Sequence, residues 1–137
     1  MTDPSSPRLF HLAPATAFDL ALRSGAKTFE PPSLATEGFV HLSFAHQIRG
    51  TLNAHFATER TLVLLEVDLT GAAGELREEA SRAGALFPHF YGPLPMSGLR
   101  RRWVLTRTDS GWTIPFLGNS PDTDYPSAEV TPQTPEP

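Results

Sequence analysis

The sequence predicts an α+β domain, and three observations carry that prediction. Apolar residues recur at helical spacing in two segments of the first half, at Phe18, Ala21 and Leu22 and again at Ala45, Ile48, Leu52 and Phe56. The stretch Thr61 to Asp68, Thr-Leu-Val-Leu-Leu-Glu-Val-Asp, is a near-continuous apolar run of strand length. From Trp103 to Ile114 an alternating segment, a turn and a second short apolar segment read as a hairpin. Helices gathered ahead of a run of strands belong to the α+β class.

In chain order, residues 1–7 carry Pro4, Pro7 and two serines and read as a flexible lead-in. Arg8 to Leu12 is a short first strand ending at His11. Pro14 suits the first turn of a helix, and Thr16 with Asp19 three residues later offers a rival cap. Ser24-Gly25 ends that helix, because glycine accepts the left-handed conformation at its end. Residues 26–37, with Pro31-Pro32, read as a loop that could wall a cleft. Gly38 to Ser43 reads as a strand with Val40 and Leu42 on an apolar face and Phe39, His41 and Ser43 on the other. Ser43 is a good N-cap for a helix from about 44 to 57. Gly71 to Gly74 is a turn, and Leu76 to Ser81 is either a short strand or a helical turn. Leu86 to Leu94 holds two prolines, which argues for an edge strand or an ordered loop rather than a central strand. Trp103 to Thr108 alternates as a strand, Asp109-Ser110-Gly111 turns, and Trp112 to Ile114 pairs back.

The 137 residues fit one domain over 8–117, and 39% apolar content suffices for a modest core. A net charge of −4 gives no footprint for non-specific nucleic-acid binding. Much of that acidity lies in residues 118–137, which carry five prolines and four acids without Lys or Arg. Such a tail cannot bury enough apolar surface to offset chain entropy and reads as disordered. There are no cysteines, so disulfides and thiolate metal sites are excluded. No apolar run approaches the ~20 residues of a membrane span, and Met1-Thr2-Asp3-Pro4 lacks the basic-then-apolar pattern of a secretory signal. The expectation is a cytoplasmic protein with no membrane partner.

The candidate site residues come in pairs. His41 and Ser43 sit two apart on one strand face, where a buried imidazole needs a partner that a ligand could supply. The plainer alternative makes Ser43 only a cap. His11 ends a strand, where sites are often built, although a lone histidine there is more often structural. His89 and Tyr91 also sit two apart, in a backbone stiffened by Pro88 and Gly92-Pro93, and form either a ligand wall or a packed aromatic corner. Glu79 and Arg82 are a surface pair if their segment is helical, or an acid and a phosphate-binding cation if it lines the cleft. No metal is expected, since His46 and His55 are nine residues apart and no H-E-x-x-H or carboxylate cluster is present. G-x-S-x-G and a glycine-rich phosphate loop are absent as well.

The strings Gly38-Phe-Val-His-Leu-Ser43, Leu62-Val-Leu-Leu-Glu-Val-Asp68 and Ser81-Arg82-x-Gly84-x-Leu86-Phe-Pro-His-Phe-Tyr-Gly-Pro-Leu94 closely resemble the bacterial family called domain of unknown function 952. The resemblance covers about residues 8–117. That family is similar to the ADP-ribosyltransferase fold, a split mixed or antiparallel sheet, here with two N-terminal helices, around a cleft for NAD. His11, a helix, and a strand ending His41-Leu42-Ser43 resemble the opening of the RNA 2′-phosphotransferase branch. The resemblance implies that His11 meets the adenosine-side ribose and that His41 and Ser43 meet the phosphates or nicotinamide ribose. Phe10 stands where that branch has Arg. The transferases also use a late Glu against an oxocarbenium-like transition state, and Glu79 is its stand-in here.

The resulting expectation is a cleft for NAD, ADP-ribose or another phosphorylated nucleotide. His11, His41, Ser43, Arg82, His89 and Tyr91 line it, and His41, Ser43, Glu79 and Arg82 carry any transfer to a nucleic-acid or protein acceptor. One alternative is a non-catalytic nucleotide-binding or regulatory module. Another, ranked lower, is a two-histidine phosphodiesterase, which needs two facing His-x-Ser/Thr strands where this chain has only His41-Leu42-Ser43.

Overall fold

The computed structural model describes residues 8–81 and 84–114. The lead-in, the acidic tail and Arg82 lie outside the described residues. The elements run β1 (Leu9–Pro14), α1 (Ala15–Arg23), β2 (Thr28–Phe29), α2 (Pro32–Glu37), β3 (Val40–His41) and β4 (Ser43–Phe44). A 3-10 turn (Ala45–Gln47) leads into α3 (Ile48–His55), followed by β5 (Thr61–Val67), β6 (Glu75–Ala80), β7 (Leu86–Tyr91) and β8 (Leu94–Pro95). A second 3-10 turn (Met96–Gly98) precedes β9 (Arg101–Thr108) and β10 (Gly111–Trp112). The architecture is α+β. Three sheets have the orders β10-β9-β5-β1-β4, β3-β7-β6 and β2-β8. Every strand pair among the described residues is antiparallel, so the sheet is not mixed.

The central strand β5 explains how the core is divided. Its side chains alternate, and both faces are covered. Leu62 and Leu64 join Phe10 and Leu12 of β1, Trp103 and Leu105 of β9, and Ile48 and Leu52 of α3 in one buried cluster. Val63, Leu65 and Val67 join Phe18 of α1, Phe29, Val40, Leu42, Phe90, Leu94 and Leu99 in a second. A strand buried on both faces needs apolar residues at nearly every position, which is why this run was continuous in the sequence.

Several local expectations change. β1 does not stop at His11 but runs on to Pro14, pairing with β5 from Leu9↔Val67 to Pro14↔Leu62. Neither Thr16 nor any other side chain caps α1, which starts directly after Pro14. Its far end is as anticipated. Ser24, Gly25 and Ala26 donate to the carbonyls of Leu20, Leu22 and Ala21, and Gly25 takes φ +74°. Residues 26–37 are not an open loop but contain β2 and the short α2, so three α-helices rather than two precede β5.

The strand predicted from Gly38 to Ser43 is divided at Leu42. β3 pairs with β7, whereas β4 pairs with β1 in the large sheet. Ser43 is therefore a strand residue, not a cap. The cap falls one residue later, where Gln47 Oε1 accepts the Phe44 N–H at 3.0 Å. β6 resolves the ambiguity at residues 76–81 as an exposed, charged edge strand, which is how edges avoid pairing with other chains.

β7 is the middle strand of its sheet despite Pro88. An antiparallel residue directs its N–H and C=O to the same neighbour. The Pro88 carbonyl accepts from Leu42 N–H at 3.0 Å, so the N–H that proline lacks would also face β3. It falls where the chain leaves for the other sheet, and no bond toward β6 is lost.

Candidate functional site

The three-stranded sheet gathers most of the predicted residues on one face. Opposite residues of paired strands share a face. The pairs His41↔His89 and His89↔Arg77 set up one cross-strand row, and Tyr91↔Glu75 begins the next. Phe39, just before β3, lies over this surface. Its ring stacks on His89 at 4.1 Å between centroids and 18° between planes, and lies 4.9 Å from His41 and 5.2 Å from Tyr91. The His41 and His89 rings are 5.2 Å apart in an edge arrangement.

Two carboxylates hold these rings. Glu79 accepts a hydrogen bond from His89 Nδ1 at 2.8 Å and from the Tyr91 hydroxyl at 2.8 Å. These two bonds, the one from His89 first, hold the Glu79 carboxyl below its ordinary range, so it is ionised at neutral pH. The same bond pushes the Tyr91 phenol above its usual value. His89 is buried and its Nε2 has no partner among the described residues. In the neutral ring, with Nδ1 donating to Glu79, Nε2 is the nitrogen left to accept a proton. His41 is half exposed, and its Nε2 lies 3.2 Å from a carboxylate oxygen of Glu37 at the end of α2. Arg77 from β6 covers the Tyr91 ring at 4.5 Å and pairs with Glu75 at 3.1 Å.

His11 and Ser43 do not join this surface. His11 is buried on the second-core face of β1, its ring edge-on to Phe29 and its Nδ1–H donating to the His41 carbonyl at 2.8 Å. Burial, only partly offset by that bond, lowers it to about 4, so it is neutral at physiological pH. It braces the backbone of His41 rather than lining an open cleft. The Ser43 side chain is buried and hydrogen-bonds the Thr51 hydroxyl at 3.1 Å. The expected same-face pair of His41 and Ser43 is thus broken, because the chain changes sheets between them. Arg82 lies outside the described residues. Among the described residues, no group of three or more His, Asp or Glu side chains is placed to hold a metal ion, and no helix is long and apolar enough to cross a membrane.

Glu37 and Arg77 were missed in the sequence, and Phe39 was placed on the face of His41 without being named as a site residue. Phe39 was legible from period two, since it shares the face of His41. Arg77 needed β6 to be read as a strand. Glu37 carried no local signal, because it reaches His41 across the turn at Gly38.

Together these features define a small antiparallel α+β domain with an imidazole–aromatic surface on its lesser sheet. The chain belongs to the family described as Protein of unknown function (DUF952), whose model matches residues 13–101. It is similar to protein CC0527 from Caulobacter crescentus. The crystal structure of that protein matches with a TM-score of 0.66 at 32% identity, over 76% of this chain and 90% of the other. The crystal structure of a double mutant of the same protein matches with a TM-score of 0.65 at 32% identity, over the same shares of the two chains. The solution NMR structure matches with a TM-score of 0.64 at 33% identity, over 81% and 93%. No curated protein matches the chain.

Proposed function

We propose that the chain is a nucleotide-binding domain with an ADP-ribosyltransferase-like fold. Its ligand, NAD, ADP-ribose or a related phosphorylated nucleotide, lies against the face of Phe39, His41, His89 and Tyr91. The observation that carries this reading is the ionised Glu79 beside that ring surface. Flat bases stack on such rings, and a fixed carboxylate accepts a ribose hydroxyl. In a transfer reaction the bond from ribose C1′ to nicotinamide breaks and a bond to the acceptor oxygen or nitrogen forms. Glu79 then opposes the positive charge on the ribose ring. The acceptor's proton passes to a base such as the free nitrogen of His89. Saturable binding of NAD or ADP-ribose, measured calorimetrically and weakened in Glu79→Gln and His41→Ala, is the expected result. Neither binding nor nicotinamide release with RNA or protein acceptors would overturn the reading, and binding without turnover would leave a regulatory module.

The two imidazole–carboxylate pairs favour one other chemistry, general acid–base cleavage of a phosphodiester. Ser43, the hydroxyl such a His-x-Ser motif would supply, is engaged with Thr51, which ranks this second. Hydrolysis of a 2′,3′-cyclic nucleotide that disappears in His41→Ala would promote it.

A further inference from the structure

Between the end of α1 and the start of β9 lies an open groove of about 660 Å³ that shares no lining residue with the imidazole face. Its walls carry two guanidinium groups, Arg100 and Arg102, and no carboxylate. Arg100 is exposed and forms no ion pair among the described residues. Arg102 is partly buried, with its guanidinium 5.3 Å from the Phe18 ring centroid. Its side chain makes no hydrogen bond or ion pair with another described residue, and its Nε is wholly buried without an acceptor.

A cation withdrawn from water is costly unless something compensates it. Burial already pulls Arg102 below the ordinary guanidinium range. The end of α1 carries negative partial charge, but the carbonyls of Leu20, Ala21 and Leu22 already accept from Ser24, Ala26 and Gly25. Acids of the adjoining elements are engaged elsewhere. Asp19 pairs with Arg23, and Glu66 pairs with Arg8 and Arg101. The rest of the wall carries Leu22 and Met96 beside Ser97, with Leu99 buried behind them.

We propose that this groove binds a small organic oxyanion, a carboxylate or a phosphate monoester. Its head lies between Arg100 and Arg102, and its apolar part rests on Leu22 and Met96. Guanidinium forks match either head group, and the apolar wall discriminates against bare inorganic anions. The proposal uses no residue of the nucleotide face and stands or falls separately from it.

NMR titration of the full chain with hexanoate, hexyl phosphate, inorganic phosphate and hexanol tests it, reading the Arg102 Nε–H and Met96 methyl signals. The expected result is a saturable shift of both signals with at least one tailed anion, and the stronger of the two identifies the head group. Inorganic phosphate binds more weakly, and hexanol does not reproduce the effect. R100Q and R102Q each weaken binding about tenfold or more, whereas His41→Ala leaves it unchanged. Should R102Q fail to fold, R100Q decides, since Arg100 is exposed. No saturable shift with either tailed anion, equal binding of hexanol, or indifference to R100Q would overturn the proposal.

Discussion

His41 faces His89 across the β3–β7 ladder, with ring centroids 5.2 Å apart and planes at 81°. Each imidazole has its own carboxylate, Glu37 on one side and Glu79 on the other. The two differ in access. His41 is half exposed, whereas His89 is buried beneath Phe39. A ligand therefore meets His41 first and reaches His89 only by displacing Phe39 or passing its edge.

Glu79→Gln keeps the shape of the side chain and removes its charge. The Tyr91 phenol, held above its ordinary value chiefly by the bond to Glu79, then titrates at lower pH. Following the Tyr91 ring carbon by NMR through alkaline pH checks this. An unchanged titration would show that the bond does not control the phenol.

The His11 imidazole titrates at about 4 in the folded chain and near 6.5 when unfolded. Between these values the unfolded chain binds more protons, so the fold loses stability as pH falls from about 6.5 toward 4. The loss amounts to roughly 3 kcal/mol. His11→Gln retains a side-chain N–H donor for the His41 carbonyl and flattens this part of the curve. Urea unfolding above, within and below the window measures the difference. Glu79 acts separately and lower. Its depressed pKa contributes stability above the usual carboxylate range that is lost as pH falls through its folded value.

Leu64 is fully buried between β1, β9 and α3. Leu64→Ala removes packed methyl groups from the middle of the large sheet and costs about 2–5 kcal/mol. Equilibrium urea denaturation reads this as a lower midpoint with an unchanged slope.

Gly98 packs directly on the Asp68 backbone and accepts its N–H at 2.9 Å. A Cβ there would collide with the Asp68 carbonyl, which is fixed at the end of β5. Gly98→Ala is expected to cost about 1–3 kcal/mol, typical of overpacking. A thermal midpoint equal to that of the parent chain would show that this segment yields freely.

What the sequence revealed follows from where each residue spends its chemistry. β5 was legible because burial on both faces demands an apolar residue almost everywhere, as at Leu62 to Leu65. The β9–β10 hairpin was legible from its alternation, although the turn is Asp109-Ser110 alone and Gly111, at φ +109°, already pairs with Thr108 as the start of β10. β6 was not, because an exposed edge strand such as Glu-Leu-Arg-Glu-Glu-Ala carries no burial pattern. Pro88 misled because the rule against central prolines concerns hydrogen bonds in use, and here the lost bond falls where β3 ends. The sequence offered His41, His89, Tyr91 and Glu79 in separate pairs, and only the strand register shows that they form one surface. Ser43 was assigned to that surface on period two and on the family resemblance, and the change of sheet at Leu42 turned it away.

That change of sheet has a mechanical consequence. His41 is bonded into one ladder and Ser43 into another, with a single residue between them. His11 reinforces the join from below by holding the His41 carbonyl. A ligand that stiffens the outer sheet at His41 must therefore also slow amide exchange on the Phe10–Ser43 side of the join, so the large sheet registers occupancy of a surface it does not touch.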